Sequence, residues 1–233
     1  MRHYLSLLSA LTLSLFALFS FSERAAAQSI DFTRGEDVTG KIADSLKYIL
    51  PEFSHGLLSY RDGSKSQGLF NVATYNQSIH FKKRDGTIME LAGIDEVERL
   101  IADKRVFIRD NSTFYELLEE RERVAIALSR ELKFMEADKP GAYGTASPTA
   151  SVTSYTSIEY NGESHSIGIN LSAKYRYKET LWLYNGKSLI KPSKKNLIKL
   201  LPGRREEIEL YCKENGTEFG NYQWLRKLFN SLK

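Results

Sequence analysis

Apolar and polar positions alternate along most of residues 53–190, and the spacing turns helical after residue 193. One of the two clearest two-residue periods spans 124–134. Val124, Ile126, Leu128, Leu132 and Phe134 share one face there, and Arg123, Ala125, Ala127, Ser129, Glu131 and Lys133 share the other. Successive side chains of a strand point to opposite faces, so this run predicts a strand with one buried and one solvated side. Arg130 is the exception on the apolar side. It either snorkels at a sheet end or is a buried cation facing a carboxylate or an anionic ligand.

The other long run covers 164–177. His165, Ile167, Ile169, Leu171, Ala173, Tyr175 and Tyr177 alternate with polar or small residues. A break is expected at Lys178-Glu179, after which Leu181-Trp182-Leu183-Tyr184 reads as a strand apolar on both faces. Shorter strands are predicted over 56–60, 69–75, 79–82, 87–91, 97–101, 106–109, 114–118 and 188–190. Asp62-Gly63, Asp85-Gly86, Asn161-Gly162 and Asn185-Gly186 mark turns, because Gly and Asn accept the positive φ that tight hairpins need. From Ser193 onward, Leu197 to Leu201, then 206–213, then Leu225, Leu228, Phe229 and Leu232 have helical spacing, with Ser193 and Asn221 as N-caps. The predicted fold is mainly β (α+β): an antiparallel β-meander forming a curved sheet or sandwich, finished by two or three short C-terminal helices.

The first 27 residues stand apart. Arg2 precedes an apolar, Leu-rich run over 4–21, followed by Ser22-Glu23-Arg24 and Ala25-Ala26-Ala27. That is the order of a secretory signal peptide, with cleavage expected after Ala27 and export to the periplasm or beyond. No further membrane span is expected. The organisation read from the chain is then a signal peptide (1–27), an N-terminal β-meander segment (28–138), a Gly/Ser/Thr-rich loop (139–157), a second β segment of the same domain (158–192) and a helical segment (193–233). The loop carries Tyr143 between Gly141 and Gly144 and reads as a mobile connection or a binding loop.

Composition narrows the chemistry. The chain has 233 residues, 33 Lys+Arg against 29 Asp+Glu, and one cysteine. A net charge of +4 in short, scattered basic groups does not predict nucleic-acid binding. One cysteine excludes a disulfide framework, and Cys212 lies on the apolar face of its helix, a core position. No HxH, HExxH, GxSxG or GxGxxG pattern occurs, so no metal, cofactor or nucleophile elbow is predicted. His80 and His55 read as solvated strand residues.

Ser45-Leu46-Lys47-Tyr48-Ile49-Leu50-Pro51-Glu52-Phe53 with Gly56 and Asp62-Gly63-Ser64 resembles the opening of a family of uncharacterised exported proteins from Bacteroidetes-type bacteria. Gly141-Ala142-Tyr143-Gly144-Thr145 and the tail from Ser193-Lys194-Lys195 through Lys213-Glu214-Asn215 resemble it too. The chain departs from it at Asn71-Val72-Ala73-Thr74-Tyr75-Asn76, where such proteins tend to carry Asn-Tyr-Asn. The resemblance implies fold and location, not chemistry.

Tyrosine is abundant, 13 of 233 residues. Tyr and Trp join an apolar ring to a polar handle, which suits recognition surfaces. The candidate binding residues are therefore Arg130, Tyr143, His165, Tyr175, Tyr177, Trp182 and Tyr184. The expected function is a non-catalytic exported protein that binds an envelope protein or surface component. The alternatives are a small-molecule or lipid carrier with the curved sheet as a cup, lined by Ile167, Ile169 and Leu171, and a hydrolase using paired carboxylates from 95–98 and 116–122.

Overall fold

The computed structural model describes residues 28–32, 38–135, 154–155 and 171–232. Among these, twelve strands form one antiparallel sheet: β1 (Gln28–Phe32), β2 (Ser54–Tyr60), β3 (Lys65–Val72), β4 (Ile79–Lys82), β5 (Ile88–Glu90), β6 (Val97–Ala102), β7 (Arg105–Asp110), β8 (Thr113–Arg121), β9 (Val124–Met135), β10 (Ser154–Tyr155), β11 (Leu171–Tyr184) and β12 (Leu189–Ile190). Their order is β1-β11-β9-β8-β7-β6-β2-β3-β4-β5, with β10 on β9 and β12 on β11. Strands β2 to β5 and β6 to β9 are two meanders joined edge to edge by β2 and β6. The sheet is open rather than closed into a barrel. Helices α1 (Asp44–Lys47), α2 (Lys194–Leu200), α3 (Arg205–Asn215) and α4 (Tyr222–Ser231) complete the fold.

The inner face of the sheet holds most of the core. Val124, Ile126 and Leu128 of β9 and Leu181 and Leu183 of β11 meet Leu197, Ile208, Cys212, Leu225, Leu228 and Phe229 of the three C-terminal helices. Short helices with one apolar face are marginal alone, so this docking is what stabilises them. Ser193 Oγ accepts the Asn196 amide, and Asn221 Oδ1 accepts those of Gln223 and Trp224, as the caps predict. Farther along, Leu58, Phe70, Leu100, Phe107 and Phe114 fill the curl of β2 to β8. A third cluster joins Ile30, Ile42 and Leu46 to Leu132, Phe134 and Tyr175.

Four readings change. First, β11 runs unbroken through Lys178-Glu179, because β9 pairs with it from Lys174 to Tyr184 and Glu179 finds Arg130 as its direct cross-strand partner. Second, the outward side of β9 is not wholly solvated. Ala125, Ala127 and Ser129 are buried, and Ala127 packs in a cluster with Tyr115, Trp182 and Tyr184. Third, Ser154–Tyr155, inside the segment read as a loop, pairs with Phe134 and Met135. Fourth, His80 is 8 % exposed instead of solvated. It lies under Tyr48, whose hydroxyl is 2.9 Å from Nδ1, and meets Tyr48 and Tyr75 edge-on. The remainder of 139–157, residues 1–27, read above as a signal peptide, and residues 158–170 lie outside the described residues.

Candidate binding surface

The register of β9 and β11 divides the predicted site residues between two faces. Arg130, Tyr175 and Tyr177 point inward; Trp182 and Tyr184 point outward. Tyr143 and His165 lie outside the described residues.

Inward, the charged groups form a seam between the apolar clusters. Arg105 holds Glu116 with two bonds, Nε to Oε1 at 2.5 Å and Nη2 to Oε2 at 2.6 Å. Arg130 Nη1 donates to the same carboxylate, and Arg130 Nε donates to Glu179 at 2.9 Å. Arg130 is thus the cation facing a carboxylate, with its side chain 15 % exposed. Burial pushes the Glu116 carboxyl upward, but the hydrogen bond from Arg105 and the charge of Arg130 outweigh it and hold it below its ordinary range. Burial likewise pushes the Tyr177 hydroxyl up to about 12, against the pull of Arg130. Tyr175 packs against Phe134 in the core. These residues tie strands together and offer little free chemistry.

Gln77, in the β3–β4 loop, extends this tie. Its backbone has φ of 53°. Its Oε1 accepts the Phe114 amide at 3.0 Å and its Nε2 donates to Arg130 O at 2.8 Å and Thr74 O at 3.0 Å. The amide side chain therefore bridges β8 and β9 where their own ladder ends at Tyr115–Ser129. A cleft of about 170 Å³ lies beside it, lined by Tyr75, Asn76, Ser112, Glu131 and Lys133 among others.

Outward, Trp182 and Tyr184 are half-buried over Ala127, Ile108 and Tyr115. Trp182 Nε1 donates to Ser129 Oγ at 3.3 Å, and Tyr115 meets its ring edge-on at 5.9 Å. The Lys191 ammonium stands 3.6 Å from the Trp182 ring centroid, a cation–π contact. Burial and the charge of Lys178 lower the pKa of Lys191. Beside Tyr184 and Leu189 opens a cleft of about 230 Å³, rimmed by Arg61, Arg99 and Lys187 and by Glu98 and Asp110. That volume is below the roughly 300–1,000 Å³ of small-molecule pockets.

Lys191, Tyr115, Arg99 and Lys187 were not among the residues singled out from sequence. Lys191 had a signal: with Asn185-Gly186 as the turn, Leu183 pairs with Ile190, and one more step sets Lys191 beside Trp182. Tyr115 and Arg99 come from β8 and β6, and only the register across five strands brings them to this face. Among the described residues no group of three or more His, Cys, Asp or Glu side chains could hold a metal ion, and no helix is long and apolar enough to cross a membrane. Comparison with known proteins returns no match, whether to a family model, to a curated protein or to a solved structure.

Proposed function

We propose that the chain is a non-catalytic binding protein that engages a protein or surface component of the envelope through the outer face around Trp182 and Tyr184. The observation that carries this reading is the Trp182–Tyr184–Lys191 group, half-exposed beside a cleft on the face that the helices leave uncovered. Rigid aromatic rings held by neighbours and rimmed by charge are the composition of binding hot spots. Two further observations support it over the alternatives. The inner side of the curl of β2 to β8 is filled by Leu58, Phe107 and Phe114, all fully buried, while Ile167 and Ile169, named above for a carrier's cup, lie outside the described residues. Glu116, the buried carboxylate among the described residues, is held between two guanidinium groups.

The test is capture from envelope extract with the purified protein as bait, comparing wild type with Trp182→Ala/Tyr184→Ala. The reading predicts a partner retained by wild type and weakened about thirtyfold by the double substitution, the cost of losing a hot spot of about 2 kcal/mol. Equal recovery by both baits, or repeated recovery of nothing, overturns it.

A further inference from the structure

The sheet ends in β5, and the chain is described on both flanks of that strand, from the turn that enters it at 83–87 to the turn that leaves it at 91–96. All three of its residues are exposed, Ile88 by 46 % and Met89 by 41 %. Two large apolar side chains therefore stand exposed next to each other on an edge strand. Natural sheets guard such edges with short strands and charges. β5 is short, but Glu90 is its one charge. The hairpin fixes which backbone groups face outward. Leu91 N–H donates to Ile79 O and Lys83 N–H to Thr87 O, so the hydrogen-bonded pairs of β4 and β5 are 83 with 87, 81 with 89 and 79 with 91. Bonded and non-bonded pairs alternate along an antiparallel ladder. Met89 thus bonds back to Phe81, while Ile88 and Glu90 turn their backbone groups away from β4.

The occupant that satisfies this edge is the same strand from a second copy. Laid antiparallel about a two-fold axis at Met89, each copy sets Ile88 opposite Glu90 of the other. Each of those pairs exchanges two hydrogen bonds, four in all, which uses every outward donor and acceptor of β5. The two Met89 residues then form the non-hydrogen-bonded pair, the closer kind, with Cα atoms about 4.5 Å apart. The side chains agree with this register. On the inner face Phe70, Phe81 and Met89 lie in one row across three strands, and the junction joins two such rows through the methionines. On the outer face Lys82 is beside Ile88, and Glu90 is beside His80, with Lys47 behind His80 and paired to Asp44. Across the junction Lys82 is two strands, about 9.6 Å, from Glu90 of the second copy. Their side chains meet over Ile88. Glu90 already accepts Asn76 Nδ2 at 3.3 Å, which leaves its other oxygen for that lysine. The turn carries the remaining charges, Lys83, Arg84 and Asp85, with Asp85 Oδ1 accepting the Thr87 amide. Antiparallel pairing sends the two basic turns to opposite ends, whereas parallel pairing would set them side by side. We propose that β5 is a self-pairing edge, through which two copies of the chain join about Met89 into one continuous sheet. A three-residue edge buries less than the roughly 1,200 Å² of a standard interface, so the dimer is weak and concentration-dependent. β5 lies at the far end of the strand order from β11, so the dimer presents two outer aromatic faces at once. The inference stands independently of what those faces bind.

The experiment is sedimentation equilibrium of the purified protein over a wide concentration range, with hydrogen exchange followed at the same concentrations. The expected result is a monomer–dimer equilibrium in which the Ile88 and Glu90 amides slow as the dimer forms, while the Met89 amide, already bonded within the hairpin, does not change. Met89→Lys, its fold checked by circular dichroism, places two like charges face to face and should weaken the dimer about tenfold or more. Met89→Cys supplies a readout that does not depend on that variant. Its two sulfurs fall within disulfide reach across the axis, so mild oxidation should yield a covalent dimer at a rate that rises with concentration. The wild type, whose Cys212 is buried, and Leu210→Cys, exposed on α3, should give little. A chain that is monomeric at every concentration overturns the proposal. So does a dimer that Met89→Lys leaves unchanged, or crosslinking of Met89→Cys no faster than that of Leu210→Cys. Ile88 and Glu90 amides that exchange slowly at the lowest concentration mean that the chain covers its own edge. Amides that slow only when an envelope extract is added assign the edge to another protein. Either result also overturns self-pairing.

Discussion

At the scale of single residues, the buried charges of the inner seam are matched by partners of opposite sign. Glu116 is the sharpest case. Its folded pKa lies below its ordinary value of 4.5, so its contribution is complete above the unfolded value and is lost as pH falls through the folded one. The melting temperature of wild type should therefore drop below about pH 4.5, and Glu116→Gln should show a shallower drop from a lower starting point. Thermal unfolding across pH 3–7 checks this, and parallel curves would count against it. His80 is a second case. Burial lowers its pKa, partly opposed by Glu90 and assisted by Lys47, so the neutral ring belongs to the folded state. Stability carried by the neutral ring is full above pH 6.5 and declines as pH falls toward the folded value. Its Nε2 has no hydrogen-bond partner, with Glu90 Oε2 3.8 Å away. His80→Gln should flatten the stability profile as pH falls below 6.5, measured by urea unfolding. Arg130 shows what sequence could and could not give at this scale. Its place on an apolar face flagged it, but Glu116 and Glu179 sit 14 and 49 residues away in sequence, and only the register chose between its two readings.

At the scale of elements, turns and periods located nearly every strand, while the neighbours of a strand decided where it ended. The Lys178-Glu179 break was expected from composition alone. Pairing with β9 overrode it, since a cross-strand ion pair suits the ladder as well as an apolar pair. The β6–β7 turn is another case. Asp103 and Lys104 both have positive φ, 51° and 60°, without a glycine, so its signal was the hairpin spacing and not the residue types. Gln77 carried no signal, because a bridge between two strands from a third element is a tertiary feature. Gln77→Glu would turn a donor toward two carbonyls into a carboxylate. It should cost about 1–3 kcal/mol, read from urea midpoints. An unchanged midpoint would contradict the bridging role. On the helical side Leu183, fully buried against the three helices, should cost about 2–5 kcal/mol as Leu183→Ala.

At the scale of the whole molecule, one sheet does two jobs. Its inner face is divided among the C-terminal helices, the charged seam and the curl of β2 to β8; its outer face is left with aromatic rings, cations and a small cleft. Fold class was readable because local periods and turns agree with it. The site was readable only in part, because Trp182 and Tyr184 advertise themselves by type while their separation from Tyr175 and Tyr177 depends on which way each side chain faces. Leu210, 54 % exposed on α3, marks the opposite side and serves as a control. The most direct test places a photo-crosslinking residue at Lys187, on the rim of the outer cleft, or at Leu210, in the protein expressed in its own cells. The binding reading predicts a discrete crosslinked partner from position 187 that disappears with Trp182→Ala/Tyr184→Ala, and none from position 210. Crosslinks from 210 alone, or from 187 with no dependence on the two aromatic residues, would contradict it.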